Sequence, residues 1–222
     1  MSRMITNRQP IFKNIKCCVF DFDGTLVDTM GGFGEVAAHV MTKYFDIEYE
    51  EAKAAYFFTS GNPFNQQLEE LFPNNPNNII AVKEFEENKL KDFYNTYFPL
   101  TSRITLNTLG KKGIKVIVSS NNSQKNIDKF LTLQRVNFDY VLGYKKDFEK
   151  GKDHFDYIKN KLNINPNEIV FIGDSLKDAE KANENKVNFL GKIGTFKKED
   201  FEKKYSGIQT ISDLTELIEI IE

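Results

Sequence analysis

The sequence predicts an α/β protein with a doubly wound parallel sheet and an inserted, mostly helical domain. Short apolar runs without clean alternation recur along the chain, which is typical of strands covered on both faces. Segments with helical periodicity separate these runs and favour right-handed crossovers. About ninety residues separate Asp23 from the next clear strand, whereas a βαβ unit needs only ~30. We therefore expect an insertion after the first strand.

The strands are predicted from the apolar runs and the turn residues that bound them. They lie at 16–22, 114–120, 139–143 and 168–172, with a weaker strand at 187–193. The chain should close with a helix whose buried face carries Leu214, Leu217, Ile218 and Ile221.

Two apolar stripes at helical spacing predict helices in the inserted stretch. The first comprises Phe33, Val36, Ala37, Val40, Met41, Tyr44 and Phe45, and the second comprises Ile79, Val82, Phe85, Leu90, Phe93, Tyr94 and Tyr97. Between them, the Pro- and Asn-rich segment 73–78 predicts a loop. We therefore expect a helical cap domain at 28–100 and a core domain formed by 1–27 plus 101–222.

Composition and charge exclude several classes of partner. Lys and Arg number 30 and Asp and Glu 32, which gives a net charge of −2 and no basic footprint for nucleic acid or an anionic membrane. No apolar run approaches the ~18 residues of a membrane span, and the leader at 1–15 lacks the apolar core of a secretory signal. Adjacent Cys17 and Cys18 point to opposite faces of a strand and indicate unpaired thiols. We expect a cytoplasmic protein.

The segment Asp21-Phe22-Asp23-Gly24-Thr25 is the strongest functional signal. It follows the first strand, and ligands of open α/β sheets bind at the carboxyl ends of strands. Gly24 permits a sharp turn. Two carboxylates so close together repel each other unless a cation or a proton lies between them.

A second acidic motif, Gly173-Asp174-Ser175-Leu176-Lys177-Asp178, also follows an apolar strand. Asp174 and Asp178 are four residues apart, which is one turn if a helix begins there. Carboxylate oxygens of this kind suit Mg²⁺, although either residue alone could simply cap a helix.

Two further polar segments could bind phosphate. Ser119-Ser120-Asn121-Asn122 follows the second strand, where a hydroxyl and the N–H groups of a helix start can hold an anion. The segment Lys150-Gly151-Lys152 lies just before a predicted helix, and one of these lysines could reach a phosphate as a point charge.

The four signals occur in one order, each at the end of an apolar run, and together they resemble the haloacid dehalogenase-like superfamily. The resemblance covers about 16–30 and 101–195. It implies a Rossmann-like core sheet with an inserted helical cap, and it is similar in detail to the small cytosolic phosphatases that act on phosphoglycolate or sugar phosphates. The Pro-containing turn that usually follows the family's lysine is missing here. Placing Phe155, Ile158 and Leu162 on the family's buried helix positions puts the lysine close to 150, one residue out of register, so we favour Lys150 and keep Lys152 as the alternative.

The resemblance also implies a role for each matching residue. Asp21 would attack phosphorus and become an aspartyl phosphate, and Asp23 would act as general acid and then as general base. Mg²⁺ would be held by Asp21, the main-chain carbonyl of Asp23 and Asp174, with Asp178 bound directly or through water. Thr25 would orient Asp23.

The remaining expectations concern the phosphate and the cap. The phosphate oxygens would be held by Ser120, Asn121, the N–H of Gly24 and the lysine. The turn-rich segment that includes Thr59, Ser60 and Gly61 is predicted to face the substrate. The resemblance thus implies a phosphatase of a small phosphorylated metabolite, which would be a monomer or a weak homodimer. The alternatives are a phosphomutase similar to β-phosphoglucomutase and a non-catalytic binding protein that keeps the fold.

Overall fold

The computed structural model describes residues 11–222, so residues 1–10 of the predicted leader and core lie outside the described part of the chain. The last leader residues are attached to the C-terminus: the N–H groups of Ile11 and Phe12 both donate to the Ile220 carbonyl at 3.0 Å. Within 11–222, no helix combines the length and apolar character needed to cross a membrane.

Six parallel strands form one sheet in the order β3-β2-β1-β4-β5-β6, which confirms the predicted fold class. The strands are β1 (Cys17–Phe20), β2 (Lys115–Ser123), β3 (Tyr140–Tyr144), β4 (Ile169–Gly173), β5 (Asn188–Lys192) and β6 (Gln209–Ile211). The first five correspond to the predicted strands. β6 was not predicted because its three residues, Gln-Thr-Ile, contain no apolar run.

Both faces of the sheet are covered, as the absence of polar alternation predicted. Every residue of β1 is buried, and successive residues enter different cores. Cys18 and Phe20 belong to the larger core, whereas Cys17 and Val19 belong to the smaller one. The two thiols are therefore buried, unpaired and on opposite faces.

Helices connect the strands and also fill the long interval after β1. They are α1 (Met30–Tyr44), α2 (Tyr49–Phe58), α3 (Phe64–Leu71), α4 (Asn77–Phe93), α5 (Leu100–Lys111), α6 (Gln124–Gln134), α7 (Lys152–Leu162), α8 (Leu176–Glu184), α9 (Lys198–Lys204) and α10 (Leu217–Ile220). Single 3-10 turns at Pro166–Glu168 and Leu214–Glu216 precede β4 and α10.

The inserted helices α1–α4 pack through an aromatic cluster. The ring of Phe85 stacks on Phe64 at 4.0 Å and meets the edge of Phe33 at 6.4 Å between centroids. Phe45 stacks on Phe72 at 4.0 Å. The first predicted stripe is buried as expected, except that Val36 and Tyr44 are half-buried.

The second predicted stripe was partly wrong. Ile79 is 83% exposed and Tyr97 is 74% exposed. Helix α4 begins inside the predicted loop 73–78 and ends before Tyr97. Its buried face differs from the predicted stripe and includes two polar residues. The buried residues of that face are Asn78, Ala81, Phe85, Lys89 and Phe93. At the C-terminus Ile220 is buried in place of the predicted Ile218, which is half-buried.

Candidate active site

The carboxylates of the two acidic motifs meet because their strands are neighbours. β1 pairs with β4, with Phe20 opposite Ile172, so Asp21 and Asp174 leave the sheet side by side. The Asp21 N–H donates to the Ile172 carbonyl at 2.8 Å and fixes this register. One oxygen from each of Asp21, Asp174 and Asp178 lies within 4.8 Å of the others, and all three residues are buried.

Lys150 lies between two of these carboxylates. Its Nζ is 2.6 Å from Oδ1 of Asp21 and 2.6 Å from Oδ1 of Asp178, and the ammonium is buried with them. Burial on its own would lower the pKa of Lys150, but Asp178 and Asp21 raise it above its usual range, so the group is charged. Lys152, the alternative, has a side chain that is 78% exposed and pairs with Asp156 at 2.5 Å.

The site carries more negative charge than its lysine neutralises. Burial, followed by repulsion from Asp178, raises the pKa of Asp174 to about 6. Burial also raises the pKa of Asp21 well above its usual range, against the attraction of Lys150. Buried carboxylates with raised pKa values bind a cation readily, and clustered carboxylate oxygens suit a hard divalent ion such as Mg²⁺. The donor set therefore fits the predicted metal.

Asp178 is held by protein groups at both oxygens. Its Oδ2 accepts from the Ser175 hydroxyl at 2.7 Å and from the Ser175 N–H at 3.3 Å, in a capping box that starts α8. Its Oδ1 pairs with Lys150. This arrangement fits the water-mediated alternative for Asp178 better than direct metal contact.

The structure corrects the expected role of Thr25. The Thr25 hydroxyl donates to Oδ1 of Asp174 at 3.4 Å, whereas Asp23 is held by two residues that the sequence analysis did not select. The Thr29 hydroxyl donates to Asp23 Oδ1 at 2.7 Å, and Asn122 Nδ2 donates to Asp23 Oδ2 at 2.5 Å. Asn122 belongs to the segment 119–122 that the sequence analysis singled out, whereas Thr29 lies outside every motif named there.

Asp174 has a second threonine neighbour, which the sequence analysis did not select. The Thr195 hydroxyl, in the loop after β5, donates to Oδ2 of Asp174. With the Thr25 hydroxyl at Oδ1, both oxygens of this carboxylate are oriented by threonines. No motif surrounds Thr195, and only the pairing of β4 with β5 brings it near.

Gly24 serves the carboxylates rather than a phosphate. Its φ is +76°, and a Cβ there would lie 2.1 Å from Oδ2 of Asp174, so only glycine fits. Its N–H donates to the Val27 carbonyl at 2.8 Å, and its carbonyl accepts from Lys192 at 3.0 Å. The prediction that the Gly24 N–H binds phosphate conflicts with this geometry, because the donor is already used within the turn.

The side chains of Ser120 and Asn121, near the end of β2, have different hydrogen-bond partners. Ser120 is buried, and its hydroxyl oxygen accepts from the Asn122 N–H at 3.1 Å. Asn121 instead donates through Nδ2 to the Gly61 carbonyl at 3.0 Å. Lys181, from α8, donates to the same carbonyl at 2.7 Å. The Asn121 side chain therefore contacts the turn between α2 and α3, not the carboxylates.

One cavity joins the carboxylates to the inserted helices. Asp21, Asp23, Lys150 and Asp174 line one side of it, and the inserted helices supply the other with Tyr56, Ser60, Gly61, Phe64, Glu86 and Lys89 among others. Two of the three predicted cap residues, Ser60 and Gly61, thus face the cavity. Thr59 does not: it is buried inside the insertion, with its hydroxyl 2.8 Å from the Ala55 carbonyl and 2.9 Å from Oε1 of Gln67.

Curated and solved proteins resemble this chain over nearly its whole length. Pyrophosphatase PpaX of Anoxybacillus flavithermus is 23% identical over 217 residues, which cover 94% of this chain and 97% of that protein. A haloacid dehalogenase-like family protein of Streptococcus pneumoniae has a TM-score of 0.76 at 16% identity, with 92% of this chain and 97% of that chain covered. CbbY of Rhodobacter sphaeroides, solved in complex with phosphate, has a TM-score of 0.71 at 16% identity, with 91% and 96% covered.

The family itself is identified by sequence. A family model described as haloacid dehalogenase-like hydrolase matches residues 18–192, which is most of the chain and includes both acidic motifs. The six-stranded parallel sheet is the fold of the solved relatives. This chain belongs to the haloacid dehalogenase-like hydrolases.

Proposed function

We propose that this protein is a Mg²⁺-dependent phosphatase that hydrolyses the phosphate monoester of a small metabolite. The observation that carries the proposal is the buried group formed by Asp21, Lys150 and Asp174 at the mouth of a cavity, with Asp23 beside it. The relatives support it, since one is named a pyrophosphatase and another was solved with phosphate.

Asp21 is the nucleophile of the proposed reaction. Its carboxylate oxygen attacks phosphorus, the bond between phosphorus and the ester oxygen breaks, and the electron pair goes to the leaving oxygen. Water then attacks the phosphorus of the aspartyl phosphate, which releases phosphate and restores Asp21. Splitting a very slow hydrolysis into two steps lowers each barrier.

Asp23 transfers the protons in both steps. Burial raises the pKa of its carboxyl, while the hydrogen bond from Thr29 opposes that shift. The protonated acid can therefore give its proton to the leaving oxygen, and the carboxylate that results takes a proton from the attacking water. Thr29 and Asn122 hold the carboxyl in place for both events.

Lys150 and Ser120 would hold the oxygens of the transferred phosphoryl group. Lys150 is charged and contacts the nucleophile directly, so it can reach an oxygen on the phosphorus that Asp21 attacks. Asp21, the Asp23 carbonyl and Asp174 would hold Mg²⁺, which when bound neutralises charge between the carboxylates and the phosphate dianion. Asp178 positions Lys150.

Residues 28–100 act in this proposal as a cap over a core formed by 1–27 and 101–222. The cavity between the carboxylates and the inserted helices is about 90 Å³, well below the several hundred Å³ of drug-sized pockets. That size favours a small leaving group. A cytoplasmic location and a monomeric or weakly dimeric state remain predictions.

The test is phosphate release from a small ester, 2-hydroxyethyl phosphate or 2-phosphoglycolate, with Mg²⁺ and with EDTA. Asp21→Asn should lower kcat by ~10³-fold or more because the nucleophile is removed, and EDTA should abolish turnover. Asp46→Asn changes an exposed carboxylate and serves as the matched control. Equal rates for wild type and Asp21→Asn would refute the proposal. A labelled sugar phosphate that yields isomer with little free phosphate would instead favour a mutase.

A further inference from the structure

The cavity wall opposite the carboxylates carries a buried positive charge. Lys89 belongs to the inward stripe of α4, and its side chain is only 9% exposed. It lines the cavity together with Tyr56, Ser60, Phe64 and Phe85. Lysines are almost never this buried unless they are paired or functional.

The contacts of Lys89 leave part of its ammonium group available. Oε1 of Glu86 lies 2.8 Å away, and the rings of Phe33 and Phe85 lie 5.7 and 5.3 Å from Nζ. An ammonium has three N–H donors, and Glu86 accepts one. The Glu86 side chain is 44% exposed, so water screens its charge more than it screens the charge of the buried Lys89. A further anion in the cavity could accept from the remaining donors.

Ser60 provides a second and independent sign of a ligand. The residue is 2% exposed and lines the same cavity, yet its hydroxyl has no hydrogen-bond partner within the described chain. Buried hydroxyl groups are normally satisfied, and an orphan of this kind indicates a missing partner. Thr59 beside it, which faces away from the cavity, does have partners for its hydroxyl.

Both groups are on the side where the proposed reaction places the leaving group. Asp23 lines the same cavity as Lys89 and Ser60, which enter it from the side of the inserted helices. Asp23 gives its proton to the leaving oxygen, which must therefore lie near it. The atoms attached to that oxygen extend toward the wall formed by Lys89 and Ser60.

We propose that Lys89 and Ser60 form a second anion-binding subsite, which selects phosphate esters and anhydrides whose short leaving group carries a carboxylate or is itself a phosphate. The inference rests on the proposed phosphatase function and adds the chemical class of the leaving group. In the small cavity such a group spans only two or three atoms from the ester oxygen. A Lys ammonium and a hydroxyl are suitable donors for either anion.

The test compares substrates of matched size. 2-Phosphoglycolate carries a carboxylate, inorganic pyrophosphate carries a phosphate, and 2-hydroxyethyl phosphate has a neutral leaving group of similar length. The measured quantity is the ratio of kcat/KM for each anionic substrate to kcat/KM for the neutral one. Lys89→Met keeps the aliphatic stem against the two rings and should lower that ratio about 10- to 100-fold for the anion that the subsite accepts. Lys83→Met, on the exposed face of the same helix, should leave the ratio unchanged.

Ser60→Ala tests the hydroxyl separately and should lower the same ratio about 3- to 10-fold. A loss confined to 2-phosphoglycolate assigns the subsite to a carboxylate, and a loss confined to pyrophosphate assigns it to a phosphate. A ratio that Lys89→Met leaves unchanged would overturn the inference. If the rates for anionic and neutral substrates fell equally, Lys89 would act only on Asp23; if no rate fell, Lys89 would not contact the substrate.

Binding to Asp21→Asn protein separates this inference from the proposed function. Calorimetric titration with 2-phosphoglycolate, pyrophosphate and 2-hydroxyethyl phosphate in Mg²⁺ requires no turnover. If wild type releases no phosphate but Lys89 still provides preferential binding of an anionic compound, the subsite stands and the phosphatase proposal fails. If wild type is active but neither Kd nor the kcat/KM ratio depends on Lys89, the subsite fails and the phosphatase proposal stands.

Discussion

Replacing Gly24 by alanine should separate backbone strain from displacement of a carboxylate. The φ of Gly24 is +76°, and an L-residue in this region costs roughly 1–2 kcal/mol. The new Cβ would lie 2.1 Å from Oδ2 of Asp174, where ordinary contact begins at 3.4 Å, so the carboxylate must move by about 1.3 Å (3.4 minus 2.1). That movement breaks its contacts with Thr25 and Thr195, each worth about 1 kcal/mol.

Gly113→Ala is the matched control for this prediction. Its φ is +80°, but nothing lies within 4 Å of the added Cβ, so it carries the strain alone. In urea unfolding we expect Gly24→Ala to lose about 1–2 kcal/mol more than Gly113→Ala. Phosphate release should fall about 100-fold in Gly24→Ala only, as expected for a carboxylate misplaced by ~1 Å. Equal stability losses, with Gly24→Ala still within threefold of wild-type activity, would refute the reasoning.

Two predictions concern the buried charges. Lys150→Met leaves the carboxylates of Asp21 and Asp178 without their counter-charge, so the free energy of unfolding at pH 7 in EDTA should fall by about 3–5 kcal/mol, whereas the exposed Lys152→Met should leave it nearly unchanged. A loss below about 1 kcal/mol for Lys150→Met would contradict the assigned burial. Burial and repulsion from Asp178 raise the pKa of Asp174 to about 6, above the value of 3.8 in the unfolded chain. The folded state therefore binds the carboxyl proton more tightly than the unfolded state, and the protein loses stability when this proton dissociates. In EDTA the stability of wild type relative to Asp174→Asn should therefore decrease between pH 4 and pH 6, and Mg²⁺ should remove the trend; an increase over that range would contradict the pKa shift.

The central carboxylates could be predicted because they depend on topology alone. Parallel strands bring their carboxyl ends to one edge, and Asp21 and Asp174 each follow a strand directly. The preference for Lys150 over Lys152 came from the family's buried helix positions, which were one residue out of register. Lys152 is the first residue of α7 and turns outward toward Asp156, whereas Lys150 precedes the helix and reaches the sheet edge.

The supporting residues were missed because each depends on a contact that no local pattern encodes. Thr195 reaches Asp174 from the next strand, and Asn122 reaches Asp23 across 99 positions. Lys89 was missed for a different reason. Sequence patterns assign charged residues to the solvent face of a helix. The buried face of α4 was therefore predicted from its apolar residues alone, and this prediction wrongly placed Ile79 in the interior.

The paired hydrogen bonds to the Gly61 carbonyl have a kinetic consequence. Asn121 and Lys181 come from separate parts of the core and meet at one oxygen of the inserted helices. The turn that contains Gly61 can move away from these donors only after both hydrogen bonds have broken. Asn121 adjoins Ser120, and Lys181 is three residues beyond Asp178. If the product of the proposed reaction leaves past this turn, both hydrogen bonds must break first, and we expect their lifetime to contribute to the turnover time.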